Sequence, residues 1–343
     1  MRASSLPTHL DVDLSAKCNL RCGFCHLSYF TPKDRGQQIA VEDFDSHIAP
    51  LLPHLKSLTL FSKYEVLTCR DFSAIFTRIT EHDLETYFST NGLLLNDDVI
   101  KTIVGKLTYL TVSATGFTRK RYHHYMRSDS FDLLEANLGR LNAAKRRVGT
   151  EFPILRISTV AMQSTLEELP RAADFAHRHQ AVEGVQMTSL YVFEPSMRVE
   201  LPAANIDRYN RMTAAAVDYA KTVGVPFTLQ SGSIDDNEAE TNTLGHRPCH
   251  LPWSRLSIQP NGDVYPCPVA FMPVGNMFKE SLPDIWRGES LATFRVGVND
   301  VANMNEDCRN CMHCRHHPIH DADANDLSGT ETFFAGMTRK QTG

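Results

Sequence analysis

Eight residues near the start of the chain restrict its architecture more than any other stretch. Cys18-Asn-Leu-Arg-Cys22-Gly-Phe-Cys25 sets three thiols in a C-x3-C-x2-C spacing. The preceding run His9-Leu10-Asp11-Val12-Asp13-Leu14 alternates polar and apolar residues, the period of a half-buried strand. Three thiols on a loop leaving a strand can all face one small object. Zinc wants four ligands, and His26 is the adjacent imidazole, but side chains of neighbouring residues diverge and chelate one tetrahedral ion poorly. An iron–sulfur cluster held by three thiolates keeps one iron open to an outside ligand, which suits chemistry better than electron storage. The zinc knuckle and the cluster are the two alternatives that the spacing leaves.

Composition sets the frame for that choice. The 343 residues suffice for one large α/β domain and an appendage, and 42% hydrophobic with 22% charged residues describes a soluble globule. A net charge of −5 argues against a partner read through nucleic-acid phosphates. No run of 18 apolar residues occurs, and Met1-Arg-Ala-Ser-Ser-Leu-Pro lacks an apolar signal core. Nine cysteines in such a chain favour metal ligation over disulfides, and the expected compartment is the cytoplasm.

Downstream, strand and helix periods alternate. Val41 to Leu55, Arg70 to Thr80, Asp97 to Gly105, Arg119 to Arg147, Leu166 to His179 and Ile206 to Val223 read as helical. Lys56–Ser62, Leu84–Thr90, Leu107–Ser113, Ile154–Val160 and Gly184–Val192 read as strands. Strands alternating with helices predict a parallel sheet with right-handed crossovers up to about residue 224. Functional groups then belong at the C-terminal ends of the strands. The pairs His123-His124 and His316-His317 have no matching ligand spacing, and the basic run Arg140 to Arg147 reads as a solvated helix face. Cys69 is isolated and reads as a small buried hydrophobe.

A second set of cysteines lies near the C-terminus. Cys249 and Cys267 bracket two β-like segments joined by Asn261-Gly262, a strong hairpin signal. Cys308-Arg-Asn-Cys311-Met-His-Cys314 adds a chelating C-x2-C-x2-C. Together these thiols exceed the needs of one four-thiolate site, and zinc or an iron–sulfur cluster would satisfy the spacing.

The first motif, with Phe24 before its last cysteine, resembles that of the radical S-adenosylmethionine (radical SAM) superfamily. The resemblance implies a partial (β/α)6 TIM-like barrel. It also implies a 4Fe–4S cluster on Cys18, Cys22 and Cys25, whose open iron chelates S-adenosylmethionine and cleaves it to a 5′-deoxyadenosyl radical. Four further residues match cofactor-binding positions. Glu65 stands where the superfamily carries a Gly-Gly-Glu-like turn, although Ser62-Lys63-Tyr64 supplies neither glycine. Asn91 belongs to a matching Thr90-Asn-Gly92, Ser113 ends its strand at a ribose-contacting position, and Arg127 stands where a guanidinium meets the methionyl carboxylate. Glu194 and Arg156 are the candidate catalytic residues facing the substrate cavity.

The C-terminal set resembles the SPASM/twitch extension of these enzymes. The resemblance implies one auxiliary 4Fe–4S cluster on Cys249, Cys267, Cys308 and Cys311, with Cys314 as a substitute ligand. The expected division is a barrel over 1–228, a hairpin-and-helix auxiliary-cluster domain over 229–318 and a tail over 319–343. The barrel starts near residue 8, which leaves no room for the N-terminal recognition domain of many peptide-modifying relatives. The leading expectation is therefore hydrogen abstraction from a polar sugar, aminoglycoside or nucleoside in antibiotic biosynthesis. Dehydrogenation, dehydration, epimerisation or decarboxylation would follow, making the enzyme an oxidoreductase or lyase, with a flavodoxin or ferredoxin as electron donor. The alternatives are a maturase of ribosomally made peptides and a zinc-stabilised binding module.

Overall fold

The computed structural model describes residues 5–32, 34–60, 63–229, 248–309, 311 and 337–340. In chain order its strands are β1 (His9–Val12), β2 (Phe30–Pro32), β3 (Ser57–Thr59), β4 (Glu85–Thr90), β5 (Tyr109–Ser113) and β6 (Ile154–Ala161). They continue as β7 (Val185–Ser189), β8 (Phe227–Leu229), β9 (Arg255–Ile258), β10 (Asp263–Tyr265), β11 (Gly275–Asn276) and β12 (Met337–Arg339). One sheet runs in the order β11-β10-β9-β1-β3-β4-β5-β6-β7-β8, and β2 pairs with β12 apart from it. From β1 through β8 every neighbouring pair in the large sheet is parallel, as the alternation of strands and helices requires.

The period-2 pattern decides which way the sheet faces. Along β6, Leu155, Ile157, Thr159 and Ala161 are buried and the residues between them are not. Leu10, Leu58, Phe88, Leu110 and Ile157 share one core with Phe76, Ile100, Leu138 and Phe175 of the covering helices. Each such side chain contributes about 1.5–3 kcal/mol on burial, so a slip of one residue would be heavily penalised. The other face carries His9, Thr59, Tyr87, Tyr109 and Arg156.

Three expectations change. Val41 to Leu55 is not one α-helix. Only Val41–Asp43 is α-helical; a wider turn, Phe44–Ile48, follows, then a tighter one, Ala49–His54, with Pro50 in its first turn and Pro53 inside it. Its apolar residues Phe44, Ile48 and Leu51 are nonetheless buried. As expected, the run 119–147 holds more than one helix, Arg119–Met126 and Phe131–Val148, and the structure puts the division at Arg127. The strand read over 184–192 ends at Ser189, and its remainder crosses the rim of the sheet. Finally, Phe227–Leu229 adds a further parallel strand beyond β7.

The C-terminal hairpin continues the barrel sheet. β9 runs parallel to β1, with Leu10 opposite Leu256 and Val12 opposite Ile258. β10 returns antiparallel through the turn at Gly262, whose φ is +83°. β1 is thus flanked on both sides, which fixes the loop that follows it.

Candidate active site

The cysteine loop leaves β1 at the C-terminal end of the sheet and is held by hydrogen bonds along its length. Arg21 Nη1 donates to the carbonyls of Cys18 at 2.8 Å and Leu20 at 2.6 Å. Ser28 Oγ donates to the Cys22 carbonyl at 2.7 Å, and Tyr29 OH to that of Gly23 at 2.6 Å. Gly23 N donates to the Tyr125 carbonyl at 2.9 Å, tying the loop to the helix Arg119–Met126. Phe24 packs against both the main core and the smaller cluster around Phe193.

Burial pushes the thiols of Cys18 and Cys22 up and that of Cys25 up to about 11, and charge on the other thiols of the loop adds to the shift in Cys22 and Cys25. Left alone, three such thiols would not ionise together. The loop meanwhile gathers cations. Arg21 acts on Cys18 and Cys25, Arg127 on Cys22 and Lys340 on Cys25. Arg21, Arg35 and Arg127 also lie close enough to Lys340 to repel it. Like charges collected around thiols suit an anionic cluster bound through thiolates. Among the described residues, no three His, Cys, Asp or Glu side chains are arranged to hold a single metal ion. A cluster asks for a wider spacing, because each thiolate binds its own iron. The loop therefore fits an iron–sulfur cluster better than zinc.

Around this loop the expected cofactor residues occupy distinct places. Glu65 is buried, and its carboxylate is taken up by the chain. Oε1 accepts from Thr90 Oγ1 at 2.8 Å and Leu67 N at 3.2 Å, and Oε2 from Asn91 N at 2.8 Å. Desolvation raises it to about 6 despite these donors. Asn91 in turn donates from Nδ2 to Asn19 Oδ1 at 2.7 Å, inside the cysteine motif. Glu65, Thr90, Asn91 and Asn19 thus clamp the ends of β3 and β4 to the cysteine loop. Arg127 closes its helix in the left-handed conformation, φ 52° and ψ 44°. A Cβ placed on Gly23 would come 3.5 Å from Arg127 Nε, so the guanidinium rests against the backbone of the cysteine loop. Ser113 ends β5 opposite Ser158.

The two candidate catalytic residues separate. Glu194 stands at the rim beyond β7, where Oε1 meets Arg339 Nη2 of β12 at 3.0 Å. Arg156 is third in β6, towards the opposite end from the thiols. It pairs there with Glu183 Oε2 at 3.1 Å and Gln186 Oε1 at 3.3 Å. The sheet does not bring Arg156 to the cysteine loop.

Sequence reading missed other neighbours of the site. Asn19 and Arg21 lie inside the cysteine motif, and their proximity to it was the available signal. Away from the thiols, at the start of β1, His9 meets Ser57 Oγ at 2.6 Å, Asp11 Oδ1 at 3.1 Å and Thr59 Oγ1 at 3.2 Å, a polar cluster that no motif announces. Phe193 packs against His26, Tyr29, Phe30 and Tyr191 at ring separations of 5.9–6.4 Å.

The second thiol set also converges. Cys267 follows β10, Cys308 lies in the short helix Glu306–Arg309, and Cys249 is anchored by reciprocal hydrogen bonds with Asn299 at 2.9 and 3.0 Å. Charge on Cys249 and Cys311 acts on both Cys267 and Cys308, and burial raises Cys308 to about 12. Four thiols from separate segments therefore share one neighbourhood. Cys314 and the pair His316-His317 lie outside the described residues.

Comparison with known proteins places these features. The radical SAM superfamily profile matches residues 12–176, and that of SPASM, an iron–sulfur cluster-binding domain, matches residues 249–312. The chain is 24% identical over 347 residues to the PqqA peptide cyclase of Streptomyces rochei, covering 90% of this chain and 82% of that one. A tungsten-containing aldehyde ferredoxin oxidoreductase cofactor-modifying protein of Pyrococcus furiosus is 19% identical over 311 residues, 84% and 83% of the two chains. In fold, Streptococcus suis SuiB bound to precursor peptide SuiA matches with a TM-score of 0.68 at 17% identity, over 91% of this chain and 70% of that one. The chain belongs to the radical SAM superfamily, with S-adenosylmethionine and a 4Fe–4S cluster as cofactors of its barrel and an auxiliary iron–sulfur centre in its C-terminal SPASM domain.

Proposed function

We propose that this enzyme is an oxidative maturase of a ribosomally made peptide. The observation that carries this reading is the similarity to a peptide cyclase across nine-tenths of the chain. It is supported by the fold match to SuiB bound to the precursor peptide SuiA. The expectation of a sugar- or nucleoside-type substrate gives way to what had been its alternative.

When bound, the catalytic cluster and S-adenosylmethionine supply a hydrogen-abstracting radical, and the auxiliary cluster supplies an electron sink. The protein positions and shields. Asn19, Glu65, Thr90 and Asn91 hold the cysteine loop to the strand ends, and Arg127 offers its guanidinium to a carboxylate beside that loop. At the rim, the pairing of Glu194 with Arg339 narrows the mouth. Removal of a pair of hydrogens from the peptide would balance as one hydrogen atom, one proton taken by a base and one electron, for which the auxiliary cluster would be the acceptor. That outcome makes the enzyme an oxidoreductase, reduced by a flavodoxin- or ferredoxin-type donor in the cytoplasm. No described helix is long and apolar enough to cross a membrane.

The test is anaerobic incubation of the reconstituted protein with S-adenosylmethionine, a reductant and short peptides encoded beside its gene. Release of 5′-deoxyadenosine with a peptide lighter by a pair of hydrogens is expected, and Cys18→Ala should abolish both. Unaltered peptides, alongside turnover of a glycoside or nucleoside, would overturn the reading.

A further inference from the structure

Lys63 connects the two thiol sites. It lies on the loop between β3 and Glu65, and its N–H donates to Asp13 Oδ1 at 3.1 Å. Its Nζ lies 5.0 Å from the ring centroid of Tyr265, two residues before Cys267. Burial lowers the pKa of this amine, and charges on Asp13, Asp34, Cys267 and Asp307 act the other way, towards the ammonium. On the barrel side, its own charge acts on His26, the neighbour of Cys25.

Among the described residues Nζ makes no hydrogen bond or ion pair, although carboxylates surround it. Those carboxylates are engaged elsewhere. Asp13 Oδ2 accepts from Gln259 Nε2 at 3.1 Å, Asp307 Oδ1 from Phe271 N at 3.3 Å and Asp34 Oδ1 from Tyr64 OH at 3.4 Å. A lysine whose head lies over an aromatic face among carboxylates engaged elsewhere acts on its surroundings through its field.

We propose that Lys63, a barrel residue, supplies the positive charge that sets the reduction potential of the auxiliary cluster in the SPASM domain. A cluster becomes more negative by one charge on reduction, and a cation held nearby in a weakly polar interior favours the reduced form. Lys63 is in this sense a positioning residue for electrons. Placed on the barrel, it makes the auxiliary centre a better acceptor on the side that faces the catalytic loop.

The experiment is an EPR-monitored redox titration of the anaerobically reconstituted full chain in a Cys18→Ala, Cys22→Ala, Cys25→Ala background, which leaves only the auxiliary cluster. Lys63→Met should move its midpoint to a more negative potential, and Lys63→Arg should leave it near that of the parent. An unchanged midpoint in Lys63→Met, or an equal fall in Lys63→Arg, overturns the proposal, as does a parent protein without a reducible cluster. If Lys63→Met loses auxiliary iron, Lys63→Gln, which keeps a polar tip, is read against the same outcomes.

Discussion

At Gly92 the site leaves no space for a side chain. Its φ is +78°, and an added Cβ would stand 2.5 Å from Leu134 Cδ1. Its carbonyl accepts from Asn137 Nδ2 at 2.7 Å and its N–H donates to Thr90 Oγ1 at 3.1 Å. Gly92→Ala should therefore destabilise the protein by about 2–3 kcal/mol, combining left-handed strain with overpacking. A denaturant midpoint that falls with unchanged slope would register it, and a loss below about 0.5 kcal/mol would mean the turn relaxes freely. The turn itself was legible, because Asn-Gly is a local signal. Its use was not. Asn91 reaches Asn19, 72 residues away, and Glu65 spends both oxygens on the same turn. Such partners are chosen by strand register, which no local pattern encodes.

Among the elements, the helix Leu169–Arg178 illustrates how an end residue can carry a pH dependence. His179 follows its last turn, with its ring 4.5 Å from that of Phe175 and its carbonyl accepting from Asn142 Nδ2 at 2.6 Å. Burial, with Arg178 adding to it, lowers its pKa to about 4. A histidine depressed on folding contributes stability that is fully present above its unfolded value near 6.5 and is lost as pH falls through the folded value. With Glu135 Oε1 3.9 Å from Nε2 and solvent offsetting part of the shift, the native protein should lose about 1–2 kcal/mol between pH 6.5 and 4 that His179→Gln does not lose. Denaturant unfolding across that range checks this, and parallel pH profiles for the two proteins would refute it. The helix was legible from its apolar spacing. The break-up of Val41 to Leu55 should have been, since Pro50 and Pro53 stand in the sequence. The division at Arg127 was not, because nothing in Tyr125-Met-Arg-Ser marks a left-handed residue. It follows from Gly23 packing beneath the guanidinium.

For the whole molecule, the consequence lies in how the ends of the chain meet. β12 pairs antiparallel with β2, directly after the cysteine loop. Lys340 N donates to the Tyr29 carbonyl at 2.7 Å and Lys340 Nζ to that of Leu27 at 2.5 Å, while Arg339 Nη2 donates to the Phe193 carbonyl at 3.1 Å. Removal of residues 337–343 should expose the loop and speed the loss of the catalytic cluster in air by several-fold, followed as decay of its visible absorbance. Equal decay rates would show that β12 gives no shielding. The tail had no periodicity to suggest a strand, and a three-residue edge strand acquires its identity from its partner alone. The sequence by itself determined the parallel α/β sheet, because alternating periods leave few other ways to bury those side chains. It also determined the two thiol sites, because chelating spacings are short-range. Tertiary structure alone decided that the C-terminal hairpin extends the barrel sheet beside β1, that Arg156 stays at the far end from the thiols and that Lys63 lies between the two sites. Each of these depends on which distant strands become neighbours, and that is set by burial of the whole sheet rather than by any segment of it.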